Sequence, residues 1–137
     1  DSYDDPGVWE ALGAKFGSDV YFVTHTWMQG TEGHPDMPEF VKLYTDFHGS
    51  APDTAFVATG WDTVMLFAQA AEIAGTTDGA AVAKALEDNN FNLLTGDLDY
   101  SNAADGHYPY KAAALVALTK GEPSFLGWRN PENPPAP

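Results

Sequence analysis

The chain has 137 residues, a length that fits one domain, and its 44% hydrophobic and 13% aromatic content is ample for a core. Twenty Asp and Glu against 6 Lys and Arg give a net charge of −14, which argues against nucleic acid and anionic membrane surfaces, both bound through Lys and Arg contacts to phosphate. The absence of cysteine excludes disulfides, thiolate catalysis and thiolate metal sites, and no apolar run approaches the roughly 20 residues that span a bilayer.

The opening DSYDD is polar, shows no signal-peptide pattern, and reads as a processed or internal start. Asp5 followed by Pro6 is a helix start, an N-cap acceptor with proline at the first helical position. Val8, Trp9, Leu12 and Phe16 then recur at helical spacing until Gly17. Val20–Thr26 is β-branched and aromatic, and reads as a buried strand. Asp36 with Glu39 reads as a capping box. Met37, Phe40, Val41, Tyr44 and Phe47 continue as an apolar stripe closed by Gly49.

The stretch Ala55–Gly75 organises the chain. From Gly60 it reads as a helix of about four turns, so apolar that most of its circumference calls for burial. Gly75 ends it, where a left-handed backbone costs glycine little. Asp78 caps a further short helix that ends at Asn89–Asn90. Phe91–Leu94 is ambiguous, Leu98–Tyr100 reads as a short strand, and Ala112–Leu118 as a buried one. Residues 130–137 hold four prolines in eight positions and read as an extended tail. Helices outnumber strands in this reading.

Markers of catalysis are missing. There is no G-x-S-x-G, no Walker Gly-Lys-Ser/Thr and no G-x-G-x-x-G. No two of His25, His34, His48 and His107 sit four apart, the spacing that puts two imidazoles on one helix face. Asp97, Asp99 and Ser101 hint at a calcium loop, but Asn102 stands where an EF-hand needs Gly and Tyr108 where it needs Glu. No cofactor or metal is expected. Trp61 has two open readings: a ring beside a ligand at a helix N-terminus, where backbone N–H groups point outward, or a ring packed under a loop. Tyr3 and Trp27 raise the same choice.

A wider pattern joins these pieces. Phe40-Val41-Lys42-Leu43-Tyr44, His48-Gly49, Pro52, Gly60-Trp61-Asp62, Ala70-Ala71-Glu72-Ile73-Ala74-Gly75, Asp78, Ala85-Leu86 and Gly96-Asp97-Leu98-Asp99-Tyr100 follow in a set order. Over residues 1–121 that order and its spacings resemble the C-terminal third of type I periplasmic solute-binding proteins. The subfamily is the branched-chain amino acid type that serves ABC transporters. His48 and Trp61 stand where Tyr is common, exchanges that keep an aromatic ring.

The resemblance implies an α/β chain that is the C-terminal portion of a two-lobe Venus-flytrap fold with three-layer α/β/α lobes. Residues 1–28 would end the C-terminal lobe, 29–107 would return to the N-terminal lobe, 108–121 would cross back as a strand, and 122–137 would be a Pro-rich tail. The hinge would include Trp27, Met28, His107 and Tyr108. Asp1 stands where the family's acidic acceptor of a ligand ammonium is found, with Ser2 and Tyr3 beside it; a solvated Asp1 is the alternative. Trp61 matches a position that lines the pocket for the ligand's side chain.

By the same resemblance the function would be non-catalytic binding of an amino acid or related small carboxylate between the lobes, for delivery to an ABC permease. The location would be periplasmic or extracellular. A ligand-sensing regulator on the same fold and a carboxylate-dependent enzyme are the alternatives. Family members are about twice this length or more. The chain is therefore expected to be a fragment that exposes sheet edges and an apolar helix face, and to need the missing N-terminal part, another chain or self-association to complete its lobes.

Overall fold

The computed structural model describes residues 4–15, 19–30, 32–101, 109 and 111–130. In chain order they form α1 (Pro6–Lys15), β1 (Val20–Thr24), α2 (Met37–His48), α3 (Ala55–Ala74), α4 (Gly79–Asp88), β2 (Asn90–Leu93), β3 (Gly96–Asp99), β4 (Ala113–Thr119) and β5 (Glu122–Arg129). Among the described residues strands therefore outnumber helices, contrary to the sequence reading.

Two units share the chain. One is an antiparallel sheet in the order β1-β4-β5 with α1 against one face. Its core is Trp9, Phe22, Trp27, Ala114, Val116 and Leu118. The other is built from α2, α3, α4 and the β2–β3 hairpin, and its core falls into two adjoining clusters. Ala70, Val82, Ala85, Phe91, Leu93 and Leu98 form the first, and Met37, Phe40, Ala58 and Leu94 the second. Each unit has two layers, where three were expected of a whole lobe.

Several local expectations hold. Asp5 starts α1, its Oδ1 accepting from Gly7 N at 2.7 Å, and Asp78 caps α4 by accepting from Ala81 N at 3.1 Å. Gly49 and Gly75 end α2 and α3 with φ of 80° and 66°, a left-handed backbone that glycine adopts without a Cβ clash.

Others are corrected. Asp36 is already helical (φ −85°, ψ −2°) and its side chain makes no cap bond. Met37 N bonds back to His34 O at 2.9 Å, so this turn commits Asp36 before its carboxylate can reach round to an amide. The central helix begins at Ala55, five residues before Gly60, because Thr54 is extended and its Oγ1 accepts from Phe56 N at 3.3 Å. Trp61 thus stands in the second turn, where its amide points along the helix and not at a ligand. β1 ends at Thr24 and alternates: Phe22 and Thr24 are buried, Tyr21 and Val23 exposed. Among the described residues Tyr21 and Val23, on the side of the sheet away from α1, stay 61% and 48% exposed.

Residues 122–129, read as the start of a tail, are strand β5. Lys120 and Gly121 both have positive φ, 53° and 90°, the geometry of a two-residue hairpin turn whose twist matches its strands. Pro123 is tolerated because β5 lies on the sheet edge, where a missing N–H costs no ladder bond. The same turn meets α1 at Gly13. A Cβ there would lie 2.4 Å from Gly121 N and 2.5 Å from its Cα. Gly13→Ala is therefore expected to push α1 off the sheet and cost about 1–3 kcal/mol of stability, as overpacking does; urea denaturation of the variant beside the parent measures it.

The apolar character of α3 is not used up inside the chain. Trp61, Val64, Phe67 and Ile73 remain between 42% and 67% exposed, and Leu43 and Phe47 of α2 add to the same open surface chemistry. No helix among the described residues is long and apolar enough to cross a membrane.

Candidate functional site at the junction of the two units

The chain changes cores within one peptide step. Trp27 is buried in the sheet unit, its ring stacked on Phe125 with centroids 5.8 Å apart. Met28 packs with Met37, Phe40, Ala58 and Leu94 in the helical unit. The expected hinge residues Trp27 and Met28 thus face opposite cores. His107 and Tyr108 lie outside the described residues, but Lys111, just beyond them, reaches the same junction.

That junction is built on the β2–β3 turn. Asp62, 3% exposed, accepts from Leu94 N at 3.0 Å and from Thr95 N at 2.8 Å. Thr26 Oγ1 donates to Leu94 O at 2.9 Å. Lys111 Nζ donates to Thr95 O at 3.1 Å and to His25 O at 3.5 Å. One two-residue turn therefore holds both stretches of chain that pass between the units. Burial holds the Lys111 ammonium below its ordinary pKa, while the Asp62 carboxylate pulls the other way.

Asp4 makes a second tie. Its Oδ2 accepts from Thr24 Oγ1 at 2.9 Å, from Ala55 N at 2.7 Å and from Thr54 Oγ1 at 3.4 Å. It lines a cleft of ≈ 320 Å³ between the units with Trp9, Thr26, Trp27, Val41 and Ala55. Asp1, Ser2 and Tyr3, the expected ligand contacts, lie outside the described residues; they run directly into Asp4. One residue past Ala55, the Phe56 ring is half exposed, with its centroid 5.7 Å from that of His25.

Trp61 is placed elsewhere. It packs on Phe40, centroids 5.5 Å apart, and lines a separate groove of ≈ 230 Å³ with His34, Leu43, Met65 and Asn92. That groove shares no lining residue with the Asp4 cleft. The structure therefore does not bring Trp61 to the cleft that Asp4 lines. Asp4, Thr26, Phe56, Asp62 and Lys111 went unread as junction residues. Asp62 had left one trace, as one of two carboxylates in an apolar helix, and a carboxylate must find donors if it is buried. Among the described residues no group of three or more His, Asp or Glu could hold a metal ion.

Burial lowers the His25 pKa from 6.5, the Lys111 charge lowers it further, and Asp4 opposes both. The folded value lies below the unfolded one, so in acid the unfolded chain takes up the proton more readily. The penalty is complete below the lowered value and disappears as pH rises past 6.5. The thermal midpoint is thus expected to fall as pH drops from about 7.5 to about 5, and His25→Gln should remove part of that fall. Midpoints of the two proteins compared across the series give the difference, which cancels the carboxylates common to both.

Comparison with known proteins agrees with this architecture. A family model described as "Periplasmic binding protein" matches residues 2–123. The Leu/Ile/Val-binding protein homolog 1 of Brucella suis and that of Brucella melitensis are each 33% identical over 99 residues, 72% of this chain and 26% of the relative. The leucine-binding protein LivK of Thermotoga maritima superposes with a TM-score of 0.71 at 24% identity, covering 93% of this chain and 35% of that one. An R. palustris ABC-transporter solute-binding protein in complex with benzoate gives 0.65 at 24% identity, covering 89% and 33%. An amino acid ABC transporter substrate-binding protein of Pseudomonas fluorescens gives 0.73 at 21% identity, covering 96% and 36%. The chain thus spans about a quarter of the curated relatives' length and about a third of the solved structures. With the fold, the match over most of its length means that the chain belongs to the periplasmic binding protein family.

Proposed function

We propose that this chain contributes the junction and parts of both lobes to a solute-binding protein that delivers a small organic molecule to an ABC permease in the periplasm or at the cell surface. The observation that carries the reading is the passage between cores at Trp27 and Met28, with Lys111 tied to the same turn. The sheet unit then belongs to the C-terminal lobe and the helical unit to the N-terminal lobe. The role is binding without turnover: a ligand held between lobes shifts the balance of open and closed forms by its preference for one of them.

The ligand is an amino acid or a related small carboxylate. Asp1, with Ser2 and Tyr3, supplies the acceptor for an ammonium group, a charge-assisted bond being the strong kind available to a carboxylate. Phe56, exposed beside the Asp4 anchor, supplies an apolar wall. Trp61 lines a different groove from Asp4 and is proposed as a ligand contact only by the family resemblance. The named specificities of the relatives, leucine, isoleucine and valine on one side and benzoate on the other, define the compounds to try.

The test is a thermal-shift and calorimetric screen of the protein with both lobes complete. Leucine, isoleucine, valine and benzoate are added singly. A ligand specific to the native state raises stability by about 2.7 kcal/mol at one hundred times its Kd. Asp1→Ala should cost an amino acid about 1.5–3 kcal/mol of affinity, the worth of a hydrogen bond to a charged group. No shift with any of the four, or chemical conversion of the ligand, would sink the proposal.

A further inference from the structure

We infer that Asp4 is a latch between the two units, a positioning residue that holds them in the relative orientation seen here. The inference rests on the reading that the units belong to lobes that move against each other.

The contacts between the units differ in kind. Thr26 to Leu94 O and Lys111 to Thr95 O come from the crossing stretches themselves. Trp128 Nε1 donates to Glu32 O at 3.3 Å, and Glu32 sits on the loop that leaves the first crossing. Such bonds lie close to the pivot, where a rotation moves atoms least. Asp4 instead joins the segment before α1 to the start of α3, 51 residues away in sequence. A hinge motion that preserved all the pivot bonds would still have to separate Asp4 from Ala55.

One oxygen does the work on both sides. Asp4 Oδ2 takes Thr24 Oγ1 from the sheet unit and Ala55 N and Thr54 Oγ1 from the helical unit. Opening breaks the last two and leaves the first. The Ala55 amide is one of the donors that a helix start leaves unpaired, and the positive end of the α3 dipole adds to the attraction for a carboxylate. The carboxylate is 8% exposed, so water does not already compete for it. Asp5, not Asp4, caps α1, so replacing Asp4 leaves that helix start intact.

The absence of cysteine allows a direct test on the 137-residue chain. Spin labels on Glu10→Cys in α1 and Ala83→Cys in α4, both exposed positions, report the distance between units by double electron–electron resonance. With Asp4 present, one narrow distance is expected. Asp4→Ala should raise the population at other distances about tenfold, and Asp4→Asn, which keeps a neutral acceptor, by less. Circular dichroism unchanged between the three proteins shows that the units stay folded. A control, Thr26→Val with Lys111→Met, frees the β2–β3 turn from both crossings. If the control broadens the distances and Asp4→Ala does not, the latch is overturned while the two-lobe reading stands. If neither alters them, the units are one rigid body and the reading of moving lobes fails with it. A broad distribution in the parent overturns the latch outright.

Discussion

Asp62→Ala is expected to lower the unfolding free energy by about 2–6 kcal/mol, the sum for two buried amides left without an acceptor at about 1–3 kcal/mol each. Leu94 and Thr95 are both buried, and their N–H groups point at the two carboxylate oxygens of Asp62. An alanine offers neither amide an acceptor. Lys111 would also lose the charge that opposes its desolvation. Asp62→Asn keeps one oxygen but turns an NH2 toward the second amide, so about half the loss is expected. Urea titration gives both values. A loss below about 1 kcal/mol for the alanine variant would mean that the turn finds other partners.

The same residue shows what the sequence could and could not yield. The ends of α2 and α3 were legible because Gly49 and Gly75 act locally, through backbone conformations open to glycine. β4 was legible as an apolar run bounded by lysines. β5 was not, because Pro123 and the later prolines read as one tail, although Lys120–Gly121 between two short β-prone stretches was a usable hairpin signal. The start of α3 was misread because Gly60 looked like a boundary, when Thr54 was an equally good cap that the structure uses. The ordered pattern from Phe40 to Tyr100 pointed to the family although no single piece of it is diagnostic. The junction was not visible. Asp4 and Asp62 look like any of the 20 acidic residues until partners 51 and 32 positions away are known.

The two-core arrangement makes Phe91→Ala the most informative core substitution. Phe91 is 2% exposed and packs with Ala70, Val82, Ala85, Leu93 and Leu98. Its removal should cost about 3–5 kcal/mol through lost transfer energy and the cavity left behind. That is a large share of the roughly 5–15 kcal/mol typical of a whole domain. The loss is expected to be local. No buried side chain is common to the cluster around Phe91 and that around Val116, so amides of α3, α4, β2 and β3 should lose hydrogen-exchange protection while those of Val116 and Leu118 keep theirs. The exchange pattern, read residue by residue by NMR, distinguishes this from a uniform loss. A uniform loss would mean that the Asp62 turn and the Asp4 contact bind both units into one cooperative structure. Retained protection around Val116 means that each unit holds itself together and the junction sets only how they face each other, the condition under which a small ligand at that junction can bias their orientation.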